Sequence, residues 1–324
     1  MTTKDKILNI LEENRGEAIS GESMASLLEI SRNSVWKAIN GLKNDGYIIE
    51  SCTNKGYMLG CENDILSAPG IKMYLPSHID CKLKVHKQVT STNTIAKELA
   101  VSGTAQSVHG TVIMAEQQSE GKGRRGRSFF SPPGHGIYMS LVLDSSQMGH
   151  DPTLITVYTA VAVSEAVQEI CNVSPKIKWV NDLFLNGKKF CGISAEAVMD
   201  IEGGTIGWIV VGIGINFTLS EEVPSEFVPI VGSIFEGKPP VTRNRLVASI
   251  IEKMLSGTKV DQLSLIEKYK QKMFMLGKKV RVEWADAPYY ATALDVNQFG
   301  NLLVQNEAGE IMTLTAGEIS VRAD

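Results

Sequence analysis

The dipeptide Asn186-Gly187 lies between two apolar runs, Ile177 to Leu185 and Phe190 to Ile193, and constrains the middle of the chain more than any other feature. Asn-Gly in that setting favours a two-residue turn with positive φ at both central positions, so the runs must fold back on each other as an antiparallel hairpin. Lys189 then falls on the return strand, near the turn. A second hairpin is expected to turn at Glu202-Gly203-Gly204 and to continue through Trp208-Ile209-Val210-Val211 into Gly212-Ile213-Gly214-Ile215-Asn216. The glycines of that last segment lack the following helix and acidic partner of a Rossmann unit, so close backbone packing or close approach of a ligand is the better reading.

Upstream, Lys84 to Val89, Thr111 to Ala115 and Ile137 to Leu143 read as strands, and Thr153 to Cys171 carries a long helical apolar pattern. The mixture is α+β. Thr90-Ser91-Thr92-Asn93 precedes the apolar positions Ile95, Ala96, Leu99 and Ala100, where hydroxyls serve as helix N-caps or as ligand contacts. Immediately after the strand at Thr111 comes a basic loop, Gly121-Lys122-Gly123-Arg124-Arg125-Gly126-Arg127. Glycine allows close backbone approach and Lys and Arg neutralise anions, so the loop reads as an anion grip, with a solvated basic turn or an RNA-binding segment as alternatives.

The first sixty residues have a different pattern. Ile7, Leu8, Ile10 and Leu11 recur at helical spacing, as do Met24, Ala25, Leu27 and Leu28. Ser31 is placed to cap a third helix running to about Asp45, with Ile30 and Val35 as a hydrophobic staple. Val35, Ile39 and Leu42 fall on one face of it, leaving Arg32, Asn33, Ser34 and Lys37 outside. After Gly46, Tyr47 to Ser51 and Gly56 to Leu59 read as a hairpin turning at Thr53-Asn54-Lys55. Three helices and a hairpin make a winged helix-turn-helix, whose helix N-terminus would reach base edges and phosphates while Lys55 at the wing tip meets phosphate. The same pattern also suits a helical appendage that packs on the main body.

At 324 residues with 43% apolar side chains, the chain is expected to form about two or three domains. A formal charge of -4 confines any nucleic-acid contact to a local basic face. Five scattered cysteines without a C-x-x-C pair argue against a disulfide framework and a zinc site, and together with the absence of a signal-peptide pattern or a membrane-spanning run they lead us to expect a cytoplasmic protein with no membrane association. Residues 1–63 are assigned to the winged helix-turn-helix, 64–82 to a linker rich in Pro, Ser, Gly and Asn, 83–275 to the central domain and 276–324 to a C-terminal domain. That last domain shows short alternating runs at Lys279 to Glu283, Tyr289 to Val296, Leu302 to Gln305, Ile311 to Leu314 and Ile319 to Arg322, as in an SH3-like barrel. Helical patterns at Arg243 to Met254 and Leu263 to Phe274 precede it.

Ser91-Thr92-Asn93, the basic loop, Lys178-Trp179-Val180-Asn181-Asp182 with Lys189, and Gly212-Ile213-Gly214-Ile215-Asn216 occur in one order. Together they resemble the biotin protein ligase family, and the winged helix makes the chain similar to its bifunctional members, which also repress biotin operons. The resemblance spans essentially the whole chain, and the ordered set is specific where each motif alone is soft. It implies an α+β multidomain fold whose central mixed sheet is like that of class II synthetases. It further implies ATP, biotin and Mg²⁺ as ligands, and formation of biotinyl-5′-adenylate before the biotin passes to a lysine of a biotin carboxyl carrier protein. Operator DNA, and a homodimer formed when the adenylate is bound, are the other implied partners.

By the same resemblance, Ser91, Thr92, Asn93, Gln118, Gly121, Lys122, Gly123 and Gly192 surround biotin, with Ser91, Thr92 and Gln118 bonded to its ureido ring. Arg124 and Lys189 are the catalytic pair, Lys189 holding the biotin carboxylate and α-phosphate by charge rather than as a covalent nucleophile. Arg125, Arg127, Trp179, Asn181, Asp182 and Asn216 fall to the nucleotide, with Glu318 and Arg322 of the closing segment completing its site. Ser31, Arg32, Asn33, Ser34, Lys37 and Lys55 are assigned to DNA. No residue is assigned to a metal. The chain departs from the family pattern at Val180, where Pro is typical, and at Lys122, which is often Arg. Val180 is compatible with the extended backbone that Pro would fix, whereas Lys122 loses the bidentate fork of Arg. A sensor of the adenylate without efficient turnover, and an enzyme without gene regulation, are the competing readings.

Overall fold

The computed structural model describes residues 2–102, 108–147, 152–199, 206–256, 261–283, 288–315 and 318–321. The expected turn at Glu202-Gly203-Gly204 and Arg322 lie outside them. At the N-terminus, α1 (Thr3–Glu13), α2 (Gly21–Leu28) and α3 (Arg32–Asn44) pack around Ile7, Leu11, Met24, Val35, Ile39 and Leu42, a core of their own. Ser31 caps α3 by accepting from Ser34 N at 3.1 Å. The wing is β2 (Ile49–Cys52) against β3 (Gly56–Leu59), joined by a two-residue strand, β1 (Ala18–Ile19), too short to leave a period in the sequence.

The central sheet runs in the order β4 (Lys82–His86), β5 (Thr111–Ala115), β6 (Gly136–Asp144), β10 (Ile206–Asn216), β9 (Lys188–Met199), β8 (Asp182–Leu185), β7 (Lys176–Lys178). Among the described residues of this sheet, only the β4–β5 strand pair is parallel. One face carries α5 (Thr92–Ser102), packed on Ile113, Val142 and Val210. The main core lies with α6 (Ile155–Cys171), α7 (Arg243–Ser256) and α8 (Gln262–Lys272). Asn186 and Gly187 have φ of 49° and 78°, the turn their pairing predicts. The Trp179–Val180 peptide just before this hairpin is cis.

β11 (Lys279–Glu283), β12 (Tyr289–Val296), β13 (Leu302–Asn306), β14 (Ile311–Leu314) and β15 (Glu318–Val321) form a five-stranded antiparallel sheet in the order β14-β13-β12-β11-β15. Its buried residues Val280, Val282 and Leu302 belong to the same core as Trp179 and Leu183. Trp179 Nε1 donates to Gly300 O at 2.9 Å and so ties the two units together. Among the described residues no helix is long and apolar enough to cross a membrane, and all five cysteines are free.

Residues 64–72, read from composition as linker, are folded onto the central domain. Ser67 caps a short helix, α4 (Ala68–Lys72), and Leu66 and Ile71 are buried in the main core. The anchor is Arg243. Its Nε donates to Asp64 Oδ2 at 3.0 Å, its Nη1 to Glu116 Oε2 at 2.8 Å and to Gly136 O at 3.0 Å, and Glu116 Oε1 accepts from Leu66 N at 2.7 Å. Burial works against the guanidinium charge, but Glu116 and Asp64 outweigh it and hold the Arg243 pKa above its ordinary value. Composition could not show this, because a linker and a packed strap use the same residues and differ only in what meets them. Removing the arginine strands two carboxylates, so Arg243→Met is expected to cost about 3–5 kcal/mol in urea denaturation, and a loss below about 1 kcal/mol would show that the strap holds without it.

Candidate active site

Glycines in β10 open the hollow that the site occupies. Gly214 pairs with Tyr138 of β6 on one side and Gly192 of β9 on the other, and Gly192 pairs in turn with Asp182 of β8. The Phe129 ring lies over this row: a Cβ on Gly214 would come within 2.8 Å of it, and one on Gly192 within 3.4 Å of Lys189 Nζ. In the neighbouring row, Ser140, Gly212 and Ser194 pair across the same three strands, and the Asn93 side chain fills the place of the missing Gly212 Cβ, 2.3 Å from Oδ1. Steric room is therefore what these glycines provide.

Three hollows meet over the rows. A slot of about 60 Å³ is lined by Ser91, Thr92, Asn93, Gln118, Lys122, Gly123, Arg124, Gly192, Ser194 and Gly212 among others. A side pocket of about 140 Å³ adds Arg127, Lys178, Trp179, Asn181 and Asp182. Beyond lies a mostly apolar chamber of about 630 Å³, bounded by Phe130, Phe184, Asn216, Val223, Phe227 and Phe274 and again by Arg127 and Asp182. Lys189 and Phe129 line all three.

The polar groups around the junction hold one another. Arg124 Nη1 donates to Asn181 Oδ1 at 2.7 Å, and Asn181 Nδ2 donates to Ile193 O at 2.7 Å. Lys189 Nζ lies 2.7 Å from Asp182 Oδ1, an ion pair whose angles fall outside those of a hydrogen bond. Gln118 Oε1 accepts from Thr92 N at 2.8 Å, and Gln118 Nε2 donates to Ser131 Oγ at 2.9 Å. Within the basic loop Gly123 N donates to Arg127 O at 2.7 Å and Phe129 N to Gly121 O at 2.8 Å, and Lys122 Nζ reaches back to Thr94 Oγ1 at 3.0 Å. Gly121 is packed behind the slot, where a Cβ would meet Phe129 O at 2.3 Å. Asn216 Nδ2 donates to Gly232 O at 3.0 Å.

Arg125 lies in the single 3₁₀ turn of the loop, Arg124–Gly126. Trp179 is buried, at 3% exposure, and meets the side pocket from the core. Glu318 opens β15. On the N-terminal domain, Arg32, Asn33, Lys37 and Lys55 are exposed, while the Ser31 and Ser34 hydroxyls lie 2.9 Å apart at the start of α3. Trp36, 54% exposed beside Lys37, went unremarked in the sequence.

The sequence pattern of the Biotin/lipoate A/B protein ligase family matches residues 85–216, that of an HTH domain residues 3–58, and that of the Biotin protein ligase C terminal domain residues 275–322. The Bifunctional ligase/repressor BirA of Bacillus subtilis (strain 168) is 29% identical over 315 residues, 95% of each chain. The protein of the same name from Escherichia coli (strain K12) is 26% identical over 312 residues, 95% of this chain and 94% of that one. The three patterns in this order, and the likeness along nearly the whole chain, make it similar to the bifunctional biotin ligase/repressors. The solved biotin protein ligase from Aquifex aeolicus, in complex with biotin and ATP, shares its fold with a TM-score of 0.62 at 26% identity, over 75% of this chain and 99% of that one.

The sequence motifs left out several residues that shape the slot. Phe129, Ser131, Tyr138, Ser140 and Ser194 all line it or brace those that do. A signal existed for Ser140, a small polar residue in the middle of a largely apolar strand, but none for Phe129, whose ring matters only because two glycines lie beneath it. Cys191, adjacent to Gly192, is fully buried and burial pushes its thiol pKa far up, so it is no candidate nucleophile. Burial likewise raises the Tyr138 pKa, keeping a phenol that donates to Pro132 O at 2.9 Å. Because the Phe129 ring already fills the space above β10, Gly214→Ala is expected to lower stability by about 1–3 kcal/mol in urea denaturation, and an unchanged midpoint would show that the ring yields freely.

Proposed function

We propose that this chain is an ATP-dependent biotin protein ligase that forms biotinyl-5′-adenylate and transfers biotin to a lysine of a biotin carboxyl carrier protein, and that it also acts as a biotin-responsive transcriptional repressor. One observation carries the ligase reading: Lys189 stands where the slot, the side pocket and the chamber meet, with Arg124 lining the first two. Joining a carboxylate to an α-phosphate requires positive charge where two anions approach, and the junction holds that charge already in place.

In this reading the ureido ring occupies the slot between Ser91, Thr92, Asn93 and Gln118, and Gly121, Lys122, Gly123 and Gly192 border it. The slot is narrow and the basic loop forms part of its wall, so the loop lifts for the ring to enter and closes over the adenylate. The ribose and adenine lie toward the chamber, whose aromatic walls suit a flat base, and Arg127, Trp179, Asn181, Asp182 and Asn216 border the nucleotide, with Arg125 assigned to it by the resemblance alone. Glu318 and Arg322 are assigned to the same nucleotide by the resemblance alone. Lys189 exchanges its Asp182 partner for the carboxylate and phosphate oxygens, stabilising both without forming a bond to either. Among the described residues no three carboxylate, cysteine or histidine side chains cluster as a metal site. Mg²⁺ bound with ATP would find a carboxylate in Asp182 and would supply charge neutralisation on the phosphates.

Electrostatic stabilisers of this kind are worth roughly 10²–10³ in rate, so Lys189→Ala is expected to cut incorporation of labelled biotin into a carrier domain by about that factor, in the presence of ATP and Mg²⁺. Equal labelling by wild type and variant would overturn the assignment, while adenylate formation without labelling of the carrier in wild type would favour the sensor without turnover.

The repressor reading places Arg32, Asn33 and Lys37 of α3 against the major groove, with Ser31 and Ser34 at the helix start and Lys55 on phosphate. One such module makes few base contacts, so two must act together, and a homodimer formed through an edge or loop of the central sheet and favoured by the adenylate supplies them. The free cysteines fit a reducing, cytoplasmic setting. With biotin and ATP present, operator binding is expected to be second order in protein, and Lys55→Ala to reduce the salt-dependence slope by about one. First-order binding in that titration would remove the dimer, and an unchanged slope the phosphate contact.

A further inference from the structure

Behind the slot, a chain of hydrogen bonds runs outward to a residue that does not line it. Asn93 Nδ2 lies 3.0 Å from Ser194 Oγ and 3.1 Å from Glu196 Oε1, while Asn93 Oδ1 lies 2.6 Å from Ser140 Oγ. Ser140 Oγ is also 2.8 Å from Thr92 Oγ1, and Thr92 Oγ1 is 3.2 Å from Gln118 Oε1. Glu196 is paired on its far side with Lys97 of α5. Thr92, Asn93, Gln118 and Ser194 line the slot, and Glu196 does not.

The polarity of this chain follows from its outer end. A carboxylate only accepts, so the amide group of Asn93 that faces Glu196 must be the amino group, and it donates to both Glu196 and Ser194. Asn93 Oδ1 then faces Ser140 and, as an amide oxygen, takes the single Ser140 proton. Ser140 Oγ is also within donating distance of Thr92 Oγ1, whose own proton goes to Gln118 Oε1, and a hydroxyl with two lone pairs keeps one for an N–H of a ligand in either case. Ser194 Oγ, already accepting from Asn93, keeps its proton for a carbonyl. Turning the Asn93 amide over would set Asn93 Oδ1 against the Glu196 carboxylate and draw the Ser194 proton to Asn93 Oδ1.

We propose that Glu196 is a positioning residue for the slot, fixing the Asn93 amide so that Ser194 presents a donor beside the Thr92 acceptor, the pattern a cyclic urea requires. This rests on the biotin-ligase reading and adds to it the reason why a urea, and not its donor-bearing analogue, fits. The discriminating probe is 2-iminobiotin, in which a nitrogen group replaces the urea oxygen and at neutral pH donates where that oxygen accepts.

Binding of biotin, 2-iminobiotin and ATP to the full-length protein is to be measured by calorimetry for wild type, Glu196→Ala and Glu196→Gln, with thermal melting to verify folding. Glu196→Ala is expected to bind biotin about tenfold more weakly, with ATP affinity changed by less than about twofold and the preference for biotin over 2-iminobiotin reduced. Glu196→Gln, which keeps an accepting oxygen, is expected to stay near wild type. An unchanged biotin affinity in Glu196→Ala overturns the proposal, and so does equal damage in both variants, which would mean that the Lys97 ion pair alone matters. Should Glu196→Ala not fold, Asn93→Asp decides: unable to donate, it is expected to lose biotin at least about tenfold, and wild-type affinity in it overturns the proposal. Failure of the wild-type protein to bind biotin would instead remove the ligase reading, and this proposal with it.

Discussion

The bulge at Phe190 is the constraint on which the site depends. In β9, Lys189 and Gly192 are three residues apart, and in a regular strand they would point to opposite faces of the sheet. The pairing with β8 passes from Leu183–Cys191 to Phe184–Lys189, leaving Phe190 as the extra residue, and the alternation is reset there. Gly192 and the Lys189 ammonium then share one side, so that a Cβ on Gly192 would touch Nζ. The bulge is held from outside: Lys189 N donates to Ile230 O at 3.0 Å, and Lys189 O accepts from Gly232 N at 2.8 Å. Phe190 itself is sunk in the main core, which resists any return to a regular strand.

From that placement the rest of the site follows in layers. The glycine row under Phe129 gives the ammonium a hollow to face, and the serine row beneath Asn93 gives the slot a polar floor. The basic loop supplies a second charge, with Arg124 held by Asn181, which the β8–β9 pairing in turn secures through Ile193. The polar floor and the ammonium thus stand on adjacent rows of one sheet. Strand register fixes the Lys189 backbone, whereas Arg124 sits on a loop held through Asn181.

The same sheet is linked to the DNA-facing domain through Arg243. Glu116 follows β5 directly and lies two residues before Gln118, and it shares Arg243 with Asp64 at the exit of the wing. The strap is therefore bonded to the segment that carries one side of the slot. A long-range polar anchor of this kind, spanning 179 residues between Asp64 and Arg243, joins two units whose apolar cores are separate.

Local chemistry was legible from the residues alone. Ser31 capped its helix because a hydroxyl before an amphipathic run satisfies free N–H groups, and Asn186-Gly187 turned because those residues tolerate positive φ. The α+β character, the winged helix and the order of the basic loop, Lys189 and the glycine strand were equally open to reading, since each depends on neighbours in sequence. Tertiary structure alone decided the bulge that turns Lys189 toward Gly192, the folding of residues 64–72 as a strap, and the hydrogen-bond direction from Glu196 to Ser194. These depend on groups brought together from distant parts of the chain, where a side chain's partner is set by strand register and packing rather than by spacing.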